Sequence, residues 1–230
     1  RLDWSTMVRL RSLSVVEGSF RMQVELFRVN TFGVNCYVVY HQGEAVIVDP
    51  GGRSEAVLAF LEREALKVLA IINTHGHADH IAGNTWFVEK TGAPLLIHEA
   101  DAKYLSDPAL HLGPQIHLDV PDSKADQWLA DGDVIEVGGE SITVMHTPGH
   151  SGGGISLFGP GFVLSGDTLF KESVGRWDFP ESDEMELQRS LLRLSKLPPE
   201  TVVYPGHGPS STIAHELRTN PFLTSIKDVE

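Results

Sequence analysis

The chain has 230 residues, 41% hydrophobic and 21% charged, enough to bury the core of one large domain. Its 31 acidic against 18 basic side chains give a formal net charge of −13, which repels a nucleic-acid backbone, and no basic stripe reverses that. No apolar run approaches the roughly 18 residues of a membrane span, and the single cysteine, Cys36, excludes an internal disulfide.

Residues 1–21 lack the unbroken apolar stretch of a signal peptide, because Arg9, Arg11 and Glu17 interrupt it. Met22 stands just before the first clear strand. Residues 1–21 therefore read as a poorly packed extension or remnant, and 22–230 as the folded domain. Cytoplasm is the expected location.

Residues 24–29, 36–40 and 45–48 read as short strands, β-branched and aromatic, parted by Gly and Asn turns. Cys36 falls in the second as a small core residue. Asp49-Pro-Gly-Gly52 ends the third, and Ser54 is the N-cap expected for a helix over 55–64. The run 68–72 is apolar throughout, as in a central strand covered on both faces. A helix over 84–90 and a strand over 94–98 follow. Between 100 and 130 the pattern gives a short helix at 100–105, then a Pro- and Asp-containing loop that could hang over one face.

Hairpins are expected at 134–137 with 141–146, around Gly138-Gly139, and at 155–158 with 162–164, around Gly159-Pro160-Gly161. The stretch 184–197 is amphipathic and stops at Pro198-Pro199. A strand at 202–204 and a helix at 212–218 complete the pattern. Two halves emerge, each running from strands to helix. They predict an α+β fold, a four-layer αβ/βα sandwich in a single domain, with helices outside two packed sheets.

The chemistry concentrates at strand ends. His75-Gly-His77-Ala-Asp79-His80 places three imidazoles and a carboxylate directly after the buried run ending at Asn73. Burying four such groups costs heavily unless a cation gathers them. His150 in Thr147-Pro-Gly-His-Ser151, Asp167 in Ser165-Gly-Asp-Thr168 and His207 in Pro205-Gly-His-Gly208 each sit in a Gly-containing turn after a β-run. His75, His77, Asp79, His80, His150, Asp167 and His207 make seven candidate ligands, enough for two ions with open positions. Imidazole with carboxylate suits Zn²⁺, Fe²⁺ or Mn²⁺, and the lack of thiolate argues against a closed structural zinc site. Asp49 is a candidate to orient a ligand imidazole through its free N–H, a turn-initiating Asp being the other reading. His146 reads as a strand-end histidine with a backbone partner. His41, His98, His111, His117 and His215 fall outside the ligand pattern.

In this order these residues resemble the metallo-β-lactamase superfamily. The likeness spans residues 22–223 and includes Asp49-Pro-Gly51 and Gly166-Asp-Thr-Leu-Phe170. Within that superfamily the chain is most similar to glyoxalase II (hydroxyacylglutathione hydrolase) in its short form, on Pro205-Gly-His-Gly208 and Asn220-Pro-Phe-Leu223. The resemblance implies that His75, His77 and His150 hold one metal, that Asp79, His80 and His207 hold a second, and that Asp167 bridges them. Asp79 and Asp167 are then the catalytic carboxylates. Two divalent ions, zinc first and iron or manganese as alternatives, would hold a bridging hydroxide that cleaves an acyl thioester such as S-lactoylglutathione. The implied partner is a small acyl thiol, with no nucleic acid and no membrane; no oligomeric state is implied.

Departures from glyoxalase II fall on the thiol side. Its Lys-aromatic-Tyr segment is Arg176-Trp177-Asp178 here, leaving Arg176 and Trp177 as the expected substrate contacts. Pro209 replaces a tyrosine, Gly154 a second histidine, and the sequence given ends before a C-terminal helical domain. Persulfide dioxygenases also resemble the chain, sharing a stretch like Gly175-Arg-Trp-Asp-Phe179, and imply one iron on two histidines and an aspartate. A lactonase of the same fold is the third expectation.

Overall fold

The computed structural model describes residues 21–225. The expected N-terminal extension, Arg21 apart, lies outside the described residues.

Alternation in the strands builds the layers. The first half runs β1 (Gln23–Val29), β2 (Val34–His41), β3 (Glu44–Val48), α1 (Glu55–Arg63), β4 (Lys67–Ile72), α2 (Ala78–Ile81), α3 (Asn84–Thr91), β5 (Leu95–His98), a 3₁₀ turn (Glu99–Leu105), α4 (Pro108–His111), a second 3₁₀ turn (Pro114–Ile116) and β6 (Gln127–Leu129). Its sheet has the order β1-β2-β3-β4-β5-β6. The first three strands pair antiparallel and the last three join in parallel. Successive side chains of a strand face opposite ways. Tyr37, Val39, Val46, Val48 and Ile72 thus face the central core, while Cys36, Val38, Ala45, Ile47 and Ile71 pack under α1, α2 and α3 through Phe60, Ile81 and Phe87. Cys36 is fully buried, and burial pushes its thiol well above the usual range, as befits a core residue.

The second half runs β7 (Val134–Val137), β8 (Glu140–His146), β9 (Ile155–Gly159), β10 (Phe162–Gly166), β11 (Leu169–Phe170), β12 (Ser173–Val174), α5 (Glu184–Leu194), β13 (Val202–Pro205), β14 (Ser211–Thr212), α6 (Ile213–Thr219) and α7 (Pro221–Ser225). Its main sheet has the order β14-β13-β10-β9-β8-β7, and β11 and β12 form a separate hairpin. Ile142, Val144, Leu157 and Leu164 complete the central core, while Val163 and Val203 on the opposite face meet Leu187, Leu191 and Leu194 of α5. The result is the expected four layers.

Boundaries moved where caps and edges decide them. Ser54 caps α1 as expected, its hydroxyl accepting from the Val57 N–H. The helix expected over 184–197 ends at Leu194, with Ser195 as its C-cap. Thr212 is the N-cap of α6 rather than its first residue, its hydroxyl accepting from the His215 N–H. The helix expected at 100–105 is a 3₁₀ turn, and the following loop contains α4 and the edge strand β6. Among the described residues no helix is long and apolar enough to cross a membrane.

Candidate metal centre

The seven expected ligands meet at one rim of the sandwich, where the two sheets present adjoining loops. His75 follows β4. His77 is the N-cap residue of α2, but its ring makes no capping bond and turns inward instead. Asp79 and His80 lie on α2. From the other half, His150 follows β8, Asp167 follows β10 and His207 follows β13.

Two groups of three form. In each of the sets His75–His77–His150 and Asp79–His80–His207, the candidate ligand atoms lie within 4.8 Å of one another. Asp167 stands between the sets. One of its oxygens is 3.5 Å from His80 Nε2, and the other is 3.6 Å from His150 Nε2 and 3.7 Å from His207 Nε2.

The donor atoms fit a pair of divalent cations. His75 Nε2 and Asp167 Oδ1 are buried without a hydrogen-bond partner among the described residues, an arrangement that is costly unless something else satisfies them. His150 Nδ1 is engaged by the Arg176 carbonyl at 2.8 Å, so its ring proton belongs there and Nε2 offers a lone pair. That Nε2 faces His77 Nδ1 at 2.9 Å. His80 likewise commits Nδ1–H to Asp49 at 3.0 Å and turns Nε2 toward His207 Nε2 at 3.3 Å. Ring nitrogens gathered this closely need a proton or a cation between them. Ligands about 2.05 Å from a tetrahedral ion lie about 3.3 Å apart, within the spread of these contacts.

Charge within the cluster tells the same story. Burial, then the neighbouring imidazoles, push His75 and His77 well below the usual histidine range, which leaves their lone pairs free. Burial acts against it, but Asp167, Asp79 and Asp49 raise His80 to about 10. Burial also opposes His207, which the Asp79 carboxylate nevertheless raises. Asp79 in turn is held well below the usual carboxylate range by His80 and His207, against the effect of burial. The carboxylates here demand positive charge, and protons on two histidines meet that demand when no ion does.

Asp49, expected as either an orienting group or a turn-initiating residue, lies against His80. Its carboxylate accepts from the Thr74 N–H at 2.7 Å, the Thr74 hydroxyl at 2.6 Å and His80 Nδ1–H. Both oxygens are thereby engaged, although Asp49 lies close enough to His75 and His80 to be grouped with them. His146 has its expected backbone partner, with Nε2 3.0 Å from the Gly152 carbonyl.

Several supports had no distinguishing sequence signal. Asp101, fully buried, accepts from the Gly76 N–H, the Ser151 hydroxyl and the Gly153 N–H, so one carboxylate ties the His75–His77 turn to the His150 turn. Asn35 and Tyr37 of β2 both donate to the Pro205 carbonyl, and Asn35 also donates to that of Gly208, which fixes the turn carrying His207. In the sequence each is one polar residue in an ordinary strand or helix pattern.

The expected substrate residues divide. Arg176 lines the cavity of about 250 Å³ over the ligands. Its Nε and Nη2, however, donate to both Asp178 oxygens at 2.8 and 2.9 Å, and the guanidinium lies 4.4 Å from the Phe179 ring centroid. Trp177 packs against Phe222 instead, at 5.9 Å between ring centroids, and does not line this cavity. His111, outside the ligand pattern in the sequence, does line it.

The family model described as the metallo-beta-lactamase superfamily matches residues 29–207. The chain belongs to that superfamily. It is 37% identical over 211 residues to an uncharacterized protein of Aquifex aeolicus, covering 89% of this chain and 99% of that one. It is 31% identical over 218 residues to hydroxyacylglutathione hydrolase GloC of Haemophilus influenzae, covering 89% and 99%. Among solved structures it is similar to the B3 metallo-beta-lactamase BLEG-1 (TM-score 0.83, 36% identity, 88% of this chain and 100% of that one). It is also similar to TTHA1623 in a di-iron-bound form (TM-score 0.79, 37%, 87% and 100%). The likeness to ETHE1 from Myxococcus xanthus is weaker (TM-score 0.72, 28%, 91% and 92%). With the superfamily's metal-binding groups in place, the chain reads as a metallo-hydrolase.

Proposed function

We propose that this member of the superfamily is a dinuclear metallo-hydrolase that cleaves acyl thioesters of small thiols. The observation that carries the proposal is the carboxylate of Asp167, set between two complete three-residue ligand groups. His75, His77 and His150 would hold one ion and Asp79, His80 and His207 the other, with Asp167 shared. When bound, such a pair supplies a water activated at neutral pH and a Lewis acid for the acyl carbonyl.

The chain's own part is to hold these donors still. Asp49 fixes the His80 tautomer, the Arg176 carbonyl fixes that of His150, and Asp101 locks two ligand turns together. Pre-set donors lose little freedom as the reaction proceeds. Zinc is our first choice for the pair, and the di-iron form of TTHA1623 supports iron as the alternative. The name of the GloC relative supports the thioester reading.

One experiment decides among the readings. Protein purified without added metal is analysed for its elements and assayed against a panel of acyl thioesters. Two ions per chain with thioester turnover is the expected result. Full metal occupancy with no thioester turned over would remove the thioester reading. A single iron with oxygen uptake on a persulfide would replace it with the dioxygenase, which leaves the Asp79–His80–His207 group without a role.

A further inference from the structure

The cavity over the metal ligands has an unequal chemistry. Beside the polar ligands, its lining is apolar, with Phe32, Leu112, Ile116, Phe170, Val174 and Phe179. Among the described residues lining it, the one Lys or Arg side chain is Arg176, whose Nε and Nη2 are held by Asp178 in a solvent-exposed ion pair. Glutathione carries two carboxylates, and among the described lining residues the one guanidinium or ammonium a carboxylate meets is Arg176, for which Asp178 competes. At about 250 Å³ the cavity also lies below the range of about 300–1,000 Å³ usual for small-molecule sites.

One neutral donor interrupts the apolar lining. His111, the last residue of α4, is 4% exposed, and its Nδ1 accepts the Gly113 N–H at 2.9 Å. The proton of the neutral ring therefore sits on Nε2, from which no hydrogen bond is made among the described residues and which is not one of the atoms buried without a partner. The Leu112 that follows adopts φ +66° and ends the helix, so the lining turns sharply at the histidine.

Taking the metallo-hydrolase reading as its basis, we infer that this cavity selects uncharged, apolar acyl thiols over glutathione conjugates, with His111 Nε2–H as the donor that orients their acyl or amide oxygen. The apolar body gains by burial against the aromatic side chains, and the Nε2–H donor exchanges solvent for a fixed acceptor.

The test uses metal-loaded protein and two ligand series of matched alkyl length, S-alkyl-N-acetylcysteamines and S-alkylglutathiones. Neither thioether can be hydrolysed, so titration calorimetry reads binding apart from turnover; the corresponding acyl thioesters are assayed in parallel. The uncharged series is expected to bind about tenfold or more tightly than the glutathione series, a modest margin on the affinity scale. His111→Phe should weaken the uncharged series about three- to tenfold, the size of one hydrogen bond, and raise KM with little change in kcat. His111→Asn, which keeps an N–H donor, should recover most of that loss. Asp178→Ala should free the exposed Arg176 and strengthen the glutathione series severalfold.

Equal or tighter binding of S-alkylglutathione overturns the inference, as does an unchanged affinity in His111→Phe. The two levels separate cleanly. Binding preference without turnover upholds the apolar site and removes the thioesterase, whereas turnover with a preference for glutathione thioesters does the reverse.

Discussion

At the scale of single residues, the centre depends on groups that never touch an ion. Asp49, at φ +51°, spends one oxygen on the Thr74 N–H and the other on the Thr74 hydroxyl and His80 Nδ1–H. Asp49→Asn keeps the shape but removes the charge that holds His80 in its metal-facing tautomer. Metal affinity should fall about 10–100-fold, read by competition with a chromogenic chelator, and an unchanged affinity would reduce Asp49 to a turn residue. This role was half legible in the sequence, because a strand-ending Asp before Pro-Gly has two ordinary meanings. Asp101 and His111 were not legible at all. A buried carboxylate in a helical stretch looks like a solvated one until the loops it joins are seen. His111 gains its meaning from a cavity whose lining, ligands included, comes from six separate stretches of chain.

At the scale of elements, β13 delivers His207 through Gly206, and that glycine is a spacing requirement. A Cβ there would lie 2.1 Å from Asp167 Oδ1 and 2.7 Å from His80 Cε1, so Gly206→Ala must displace the Asp167 carboxylate or the His80 ring. Elemental analysis should find the pair reduced to one ion or fewer, with far-UV circular dichroism unchanged because no regular element is broken. Retention of both ions at full activity would show that Asp167 can shift without consequence. The strands that anchor these turns were readable because they are long and apolar, as in the runs at 36–40 and 68–72. The edge strands β6 and β14 and the hairpin β11–β12 span two or three residues each. At that length alternation carries no period, and only backbone pairing to a neighbour defines the strand. Trp177 went astray for a related reason. Arg176 and Phe179 line the metal cavity while the Trp177 ring faces α7, a choice made by packing on Phe222.

At the scale of the whole molecule, the centre is also a joint. His75, His77, Asp79 and His80 come from the first half of the sandwich, and His150, Asp167 and His207 from the second. Bound ions would therefore clamp the halves, and only the folded state brings the donors together. At a free ion concentration of about 100 times Kd, each site should add about 2.7 kcal/mol, or about 5–11 °C in melting temperature for a chain of this size. The loss on chelation should depend on pH with a definite sign. In the ion-free protein His80 is raised to about 10, above its ordinary value of about 6.5. The stability that its proton provides is fully present below about pH 6.5 and fades as pH rises toward 10. In the loaded protein, cations meet the demand of the carboxylates instead, so that fade is absent. Thermal melts with and without chelator, taken from pH 6.5 to 9.5, should therefore diverge as pH rises. Curves that stay parallel would mean that His80 carries no such proton, and that the carboxylates around it are balanced by something other than the charge of the site itself.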